Sequence, residues 1–97
     1  MLTDFDVEQV FLKARGSAVE VRMVLVSVTG APIREAFPVD ATSLRAAAEK
    51  LGRRLAERHD VASVHRARLR VESAGTLRDD RDLQRAMTES FRRTRRS

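Results

Sequence analysis

The sequence predicts an α+β domain in which a three-stranded, mainly antiparallel sheet packs against helices, in the order α-β-β-α-β-α. Three observations indicate this class. Apolar residues recur at helical spacing near both ends and in the middle, apolar and polar residues alternate in the segments between, and turn residues separate the segments. With 97 residues, the chain has room for one domain. We assign this domain to residues 1–91 and a basic tail to residues 92–97.

The first helix is predicted over residues 4–15, with Thr3 as its cap and Gly16 as its stop. Its apolar positions have helical spacing: Val7, Val10, Phe11 and Ala14. Alternation over residues 18–28 then predicts a strand. Because the second half of this strand is apolar on both faces, we expect it to be central in the sheet.

A short second strand should follow a turn, with Ile33, Phe37 and Val39 facing the core and Pro38 confining it to a sheet edge. The clearest helix spans about residues 42–58, with Asp40, Thr42 or Ser43 as its cap. Its apolar stripe consists of Leu44, Ala47, Ala48, Leu51, Leu55 and Ala56. We expect Gly52 within this helix to permit close approach to a strand.

Residues 61–72 alternate and predict a third strand, followed by a loop over residues 73–76. Asp79 or Asp80 can cap a last helix. The inner side of that helix carries Leu83, Ala86, Met87 and Phe91. Three strands leave sheet edges exposed, which allows homodimerisation across the third strand or through the first helix.

The positive charge is concentrated in the C-terminal third. The formal net charge is +5, and residues 1–60 contribute nothing to it because they hold nine bases and nine acids. Residues 61–97 hold ten arginines against five acids. Arginine supplies 17 of the 19 bases, which fits a GC-rich genome as well as selection for bidentate anion binding.

The composition excludes several kinds of site. Without cysteine, the chain has no disulfide, thiolate zinc site or cysteine nucleophile. It also lacks the common phosphate-loop, zinc-protease and nucleophile-elbow motifs. His59 and His65 lack ligand spacing, and Asp79, Asp80 and Asp82 fit cap and first-turn charges. We therefore expect a non-catalytic protein without cofactor or metal, leaving an enzyme completed at a subunit interface as the catalytic alternative.

The N-terminal segment and the apolar runs bear on localisation. No apolar run approaches the roughly 20 residues needed to cross a bilayer. Asp4, Asp6 and Glu8 stand where a signal peptide would be basic. We expect a cytoplasmic protein that does not bind membranes.

Arg66, Arg68 and Arg70 form a predicted arginine ladder on one face of the third strand, with two interpretations. Side chains two apart on a strand lie about 7 Å from one another, so the ladder could follow successive phosphates. Alternatively, it is the solvated face of a sheet, paired with acids such as Glu20 or Glu35.

Four arginines lie within five residues of the tail, namely Arg92, Arg93, Arg95 and Arg96. This exceeds what a helix C-terminus needs to balance its dipole. Phosphate contact, a solubilising tail and contact with an acidic protein surface are the alternatives. The absence of Tyr and Trp, with four phenylalanines at core-like positions, disfavours a base-stacking platform.

Two resemblances cover parts of the chain without a diagnostic motif. The strand-helix-strand order from Val19 to Val71 resembles the alkaline-shock protein family. The run EKLGRRLAERHD, Glu49 to Asp60, resembles part of a ribosome-hibernation factor and favours RNA over DNA. We assign the chain to neither family.

The charge asymmetry predicts a non-catalytic, largely sequence-nonspecific nucleic-acid or ribosome-associated protein. Its predicted phosphate contacts are Arg66, Arg68, Arg70, Arg92, Arg93, Arg95 and Arg96. The alternative is a protein-interaction or homo-oligomeric assembly module with no nucleic-acid role.

Overall fold

The computed structural model describes residues 4–27 and 29–96. Within them, six strands and two helices follow in order: β1 (Phe5–Arg15), β2 (Ala18–Ser27), β3 (Pro32–Asp40), α1 (Leu44–Ala56), β4 (Val61–Ser63), β5 (Arg68–Ser73), β6 (Thr76–Asp79) and α2 (Arg81–Arg96). The predicted helix cap Thr3, the predicted strand end Val28 and Ser97 of the predicted tail lie outside the described residues.

The strands form one mixed sheet that packs against both helices, which confirms the α+β class. The strand order is β3-β2-β1-β5-β6, and β4 also pairs with β1. Strand β1 is antiparallel to β2 but parallel to β4 and β5. The predicted three-stranded, mainly antiparallel sheet and the order α-β-β-α-β-α are therefore wrong. The described elements run β-β-β-α-β-β-β-α.

The predicted first helix is the central strand β1, and a β-bulge explains the error. Val7 pairs with Leu25 and Gln9 pairs with Val24, so Glu8 is an extra residue on β1. The extra residue puts Val7 and Val10 on the same face of the sheet, where both are fully buried. Their spacing of three therefore imitates a helix although the backbone is extended.

The predicted third strand is interrupted. After β4, the Ala67 N–H donates to the Val64 carbonyl at 2.9 Å, and this turn separates β4 from β5. The predicted loop after β5 is a tight hairpin turn, where Ala74 and Gly75 have φ of 51° and 79°. It leads into β6, whose four residues are all exposed and therefore gave no apolar signal.

The remaining elements agree with the sequence pattern, except that Ile33, which was predicted to face the core, is 43% exposed because the start of the edge strand β3 is exposed. Strand β2 lies between β1 and β3, and β3, which contains Pro38, is at a sheet edge. The Ser43 hydroxyl accepts from the Ala46 N–H at 3.1 Å and caps α1. The Asp80 carboxylate accepts from the Leu83 N–H at 3.0 Å and caps α2.

The core lies between one face of the sheet and the two helices. Among its largest fully buried side chains are Leu12, Met23, Leu51, Leu69 and Met87. The opposite face of the sheet carries no helix among the described residues and is open to solvent.

Gly52 faces α2 rather than a strand, which corrects the expected partner of this close approach. A Cβ atom at position 52 would meet the Met87 carbonyl oxygen and would lie 2.9 Å from the Ser90 Cβ. The Ser90 hydroxyl donates to the Glu49 carbonyl at 2.7 Å across the same contact. The two helices therefore touch along their backbones and form one helical layer.

Candidate nucleic-acid interface

The excess positive charge lies on the helical layer. Helices α1 and α2 together hold ten basic side chains and three acidic ones. The six strands hold seven of each and are neutral. The asymmetry read from the sequence as a basic C-terminal third is therefore, in three dimensions, a basic layer of helices on a neutral sheet.

Charges on the open sheet face largely compensate one another. Glu72 accepts from Arg22 at 2.6 Å and lies 3.2 Å from the Lys13 ammonium. The Arg22 guanidinium lies 5.5 Å from the centre of the Phe11 ring. These contacts cross three strands, so this face is best described as a solvated ion-pair network.

The predicted arginine ladder does not form. Arg66 is exposed in the turn before β5, whereas Arg68 and Arg70 lie on β5 itself. Arg68 makes a bidentate contact with Asp79 at 2.9 and 3.0 Å, and Arg70 reaches the same carboxylate at 3.3 Å. Hydrogen bonds from Arg68 lower the pKa of Asp79, so its carboxylate stays ionised at neutral pH.

The acids expected to pair with the ladder have other partners. Glu20 lies 3.1 Å from the Arg15 side chain. Glu35 accepts two hydrogen bonds from Arg58, at 2.7 and 2.9 Å. The solvated-face interpretation thus applies to Arg68 and Arg70, but with Asp79 as the acid.

Helix α2 carries exposed arginines near each of its ends, on the side opposite its buried residues. At 3.6 residues per turn, four of its arginines fall within roughly 60° of arc and span about 22 Å. We call this set the arginine stripe: Arg81, Arg85, Arg92 and Arg96. All four are exposed, and within residues 4–27 and 29–96 none of their side chains makes a hydrogen bond, ion pair or ring contact.

An open groove of about 790 Å³ lies between the stripe and the start of β5. Arg81, Arg85 and Arg92 line one side of it, and His65 and Arg68 line the other. Gln84, Thr88 and Glu89 of α2 and Asp79 of β6 complete the lining. The groove therefore collects four arginines and two carboxylates around an open, polar space.

The tail arginines divide into different roles, because residues 92–96 are the last turns of α2. Arg92 and Arg96 belong to the stripe, and Arg93 borders a shallow depression beside them. Arg95 is also exposed, but its side chain folds back onto the protein. Its guanidinium donates to three backbone carbonyls, those of Ala56, Arg58 and Val61, at 2.9, 3.1 and 2.6 Å.

Replacing Arg95 by alanine is expected to lower the free energy of unfolding by about 1–3 kcal/mol, because the three carbonyls lose their donor. Arg96→Ala is the matched control: it removes the same charge from the same helix end, and the change should be under about 0.5 kcal/mol. Urea denaturation followed by circular dichroism gives both values. Equal stability of the two variants would contradict a structural role for Arg95.

Sequence reasoning missed Arg81 and Arg85. The signal that could have found them is the helical spacing of charge, since positions 81, 85, 92 and 96 share a face as apolar residues do. The seven predicted phosphate contacts therefore included Arg95, which donates to the protein's own backbone carbonyls, and omitted Arg81 and Arg85.

No family model matches the sequence, and no curated protein or solved structure is significantly similar to it. None of the helices within residues 4–27 and 29–96 has the length and apolar character needed to span a membrane.

Proposed function

We propose that this chain is a non-catalytic cytoplasmic protein that binds RNA or DNA through phosphate contacts, largely without sequence preference. The observation that carries the proposal is the arginine stripe: four exposed guanidinium groups on one face of α2, without partners in the described part of the chain. Arg68 lies across the groove from the stripe, and Arg66 is an exposed residue of the turn that precedes β5.

Phosphate is the ligand that suits this surface. A guanidinium group offers a planar fork of donors that matches two oxygens of one phosphate. An exposed arginine without a partner loses no ion pair on binding, whereas Arg22 or Arg70 would first have to leave a carboxylate. The stripe therefore supplies the main contacts, and Arg68 contributes only where a phosphate competes with Asp79.

Salt dependence tests this proposal. Four phosphate contacts release condensed counterions, so the logarithm of the association constant should fall with log salt at a slope of about −3.6 for B-form DNA. Fluorescence anisotropy of a labelled 20-base-pair duplex, titrated between 50 and 300 mM salt, measures it. Binding that does not change with salt, or no binding at 50 mM, overturns the proposal.

A protein-interaction or homo-oligomeric module is the competing function. The two dimer surfaces expected from the sequence differ in the structure, because residues 5–15 form a central strand and β6 pairs with the outer edge of β5. Within the described residues the sheet ends in two edge strands: β3, in which Pro32 and Pro38 restrict pairing, and β6, a short strand of four exposed residues. Homodimerisation stays a prediction, and light scattering at high salt measures it.

Replacing Asp79 by asparagine is expected to tighten nucleic-acid binding about three- to tenfold and to steepen the salt slope by up to about 0.9, because it releases Arg68, which lines the groove. Asp82→Asn is the control, since it removes one negative charge from the first turn of α2 without breaking an ion pair. The same gain in both variants would show that net charge alone matters and would contradict a role for the groove arginines.

A further inference from the structure

We infer that the ligand is a duplex, held with α2 across a wide groove so that the two ends of the arginine stripe meet the two phosphate rows. This inference rests on the proposed function and specifies its substrate class. It follows from the spacing of charge along α2 and from the position of the aromatic side chains.

The stripe consists of two pairs of arginines rather than an even row. Arg81 and Arg85 form one pair and Arg92 and Arg96 the other, and their midpoints are about 16 Å apart along the helix axis. Between them, this face carries Thr88 and Glu89. A carboxylate at the centre repels a phosphate, so a single strand following the helix would meet an unfavourable site midway.

A duplex avoids that site because its phosphates lie in two rows that border a groove. The major groove of B-form DNA is about 12 Å wide and admits an α-helix. The minor groove of A-form RNA is wide and shallow and is likewise bordered by phosphates. In either case each arginine pair reaches one row, and Thr88 and Glu89 face the groove between the rows.

The aromatic side chains give independent support. Proteins that bind unpaired bases stack them on exposed aromatic rings. Phe91 is 7% exposed, and Phe5 and Phe37 pack against the core. Phe11 is half-buried on the sheet face away from the helical layer, beneath Arg22. The described residues therefore offer unpaired bases no phenylalanine ring beside the stripe. The ring in the lining of the groove is the His65 imidazole, which is hydrogen-bonded to the Ser63 hydroxyl at 2.6 Å. Bases in a duplex need no such ring, because they stack on one another.

The test compares four labelled ligands at one salt concentration: a 20-base-pair DNA duplex, an RNA duplex of the same sequence, dT20 and rU20. We expect at least one duplex to bind at least about tenfold more tightly than both single strands. The better duplex identifies the groove, major for DNA and minor for RNA. If a single strand binds as tightly as the duplexes, the inference is overturned and the proposed function stands. If none of the four ligands binds, both the inference and the proposed function are overturned.

A charge-conserving variant tests the spacing itself. The double substitution Thr88→Arg with Arg92→Thr moves one guanidinium group to the centre of the stripe without changing the net charge. Duplex affinity should fall about tenfold, while single-strand affinity should change less than about threefold. Unchanged duplex affinity would overturn the two-row geometry. Arg92→Gln with Arg96→Gln removes one pair without altering Thr88, and it should reduce the preference for duplex over single strand.

Discussion

Replacing Gly52 by alanine is expected to lower the free energy of unfolding by about 2 kcal/mol, although alanine favours a helix over glycine by about 1 kcal/mol. The new Cβ would meet the Met87 carbonyl oxygen and would lie 3.0 Å from the Phe91 backbone nitrogen. Backbone atoms cannot rotate away as a flexible side chain does, so α2 has to shift off α1. Gly52→Val should lower the free energy of unfolding by more than about 3 kcal/mol.

Urea denaturation followed by circular dichroism measures this loss. Ala46→Ser, which adds one heavy atom at a half-buried position of the same helix, is the control and should change stability by about 0.5 kcal/mol. An alanine variant as stable as the wild type would mean that the helices are not in backbone contact, and the helical layer would need a different description.

Removing three arginines of the stripe is expected to weaken duplex binding about 500-fold at 0.1 M salt. Each lost phosphate contact reduces the salt slope by about 0.9. If wild type and variant bind equally at 1 M salt, the loss of three contacts lowers the logarithm of the association constant at 0.1 M by about 2.7. The variant is Arg81→Gln, Arg85→Gln and Arg92→Gln. Because these side chains make no ion pair within the described residues, the folded structure should keep its stability.

The matched control removes the same charge from the open sheet face: Lys13→Gln, Arg15→Gln and Arg34→Gln. Its affinity should fall less than about tenfold, because only long-range attraction is lost. Anisotropy titrations at several salt concentrations give both slopes. An equal loss of duplex affinity in the two triple variants would show that the protein binds by net charge alone and would contradict an interface on α2. Deletion of residues 92–97 is a poorer test, because it also removes Arg95 from its backbone carbonyls.

The elements that sequence reasoning predicted correctly have an unbroken period. Helix α1 buries Ala47, Ala48, Leu51 and Leu55 at steps of one, three and four, and β2 buries alternate residues from Val19 to Ser27. Pro38 identified an edge strand because proline cannot donate within a sheet. These patterns depend on local geometry alone, so they can be read without knowing which elements pack together.

The errors have physical causes. The bulge at Glu8 adds one residue to β1, and the resulting spacing of Val7 and Val10 is the same as on a helix. Strand β6 is exposed throughout and follows a two-residue turn, so its pairing with β5 depends on backbone hydrogen bonds that leave no apolar pattern. The partner of Gly52 is a tertiary contact with α2, which the spacing within α1 could not specify.

The candidate site was predicted in part. Sequence reasoning placed the excess charge in residues 61–97, which include α2, but it treated α1 as part of a neutral region. In the fold, α1 contributes four bases against one acid to the same helical layer. Charge counted along the chain therefore described the distribution of charge on the fold less well than charge counted by layer.

The most direct measurement is an NMR titration of ¹⁵N-labelled protein with a short duplex, following the arginine Nε–Hε signals. The central claim is that the helical layer binds the phosphates. It predicts that the signals of Arg81, Arg85, Arg92 and Arg96 shift while those of Arg15 and Arg22 stay in place. Shifts at Arg15 and Arg22 with α2 unaffected would place the interface on the open sheet face and contradict the claim.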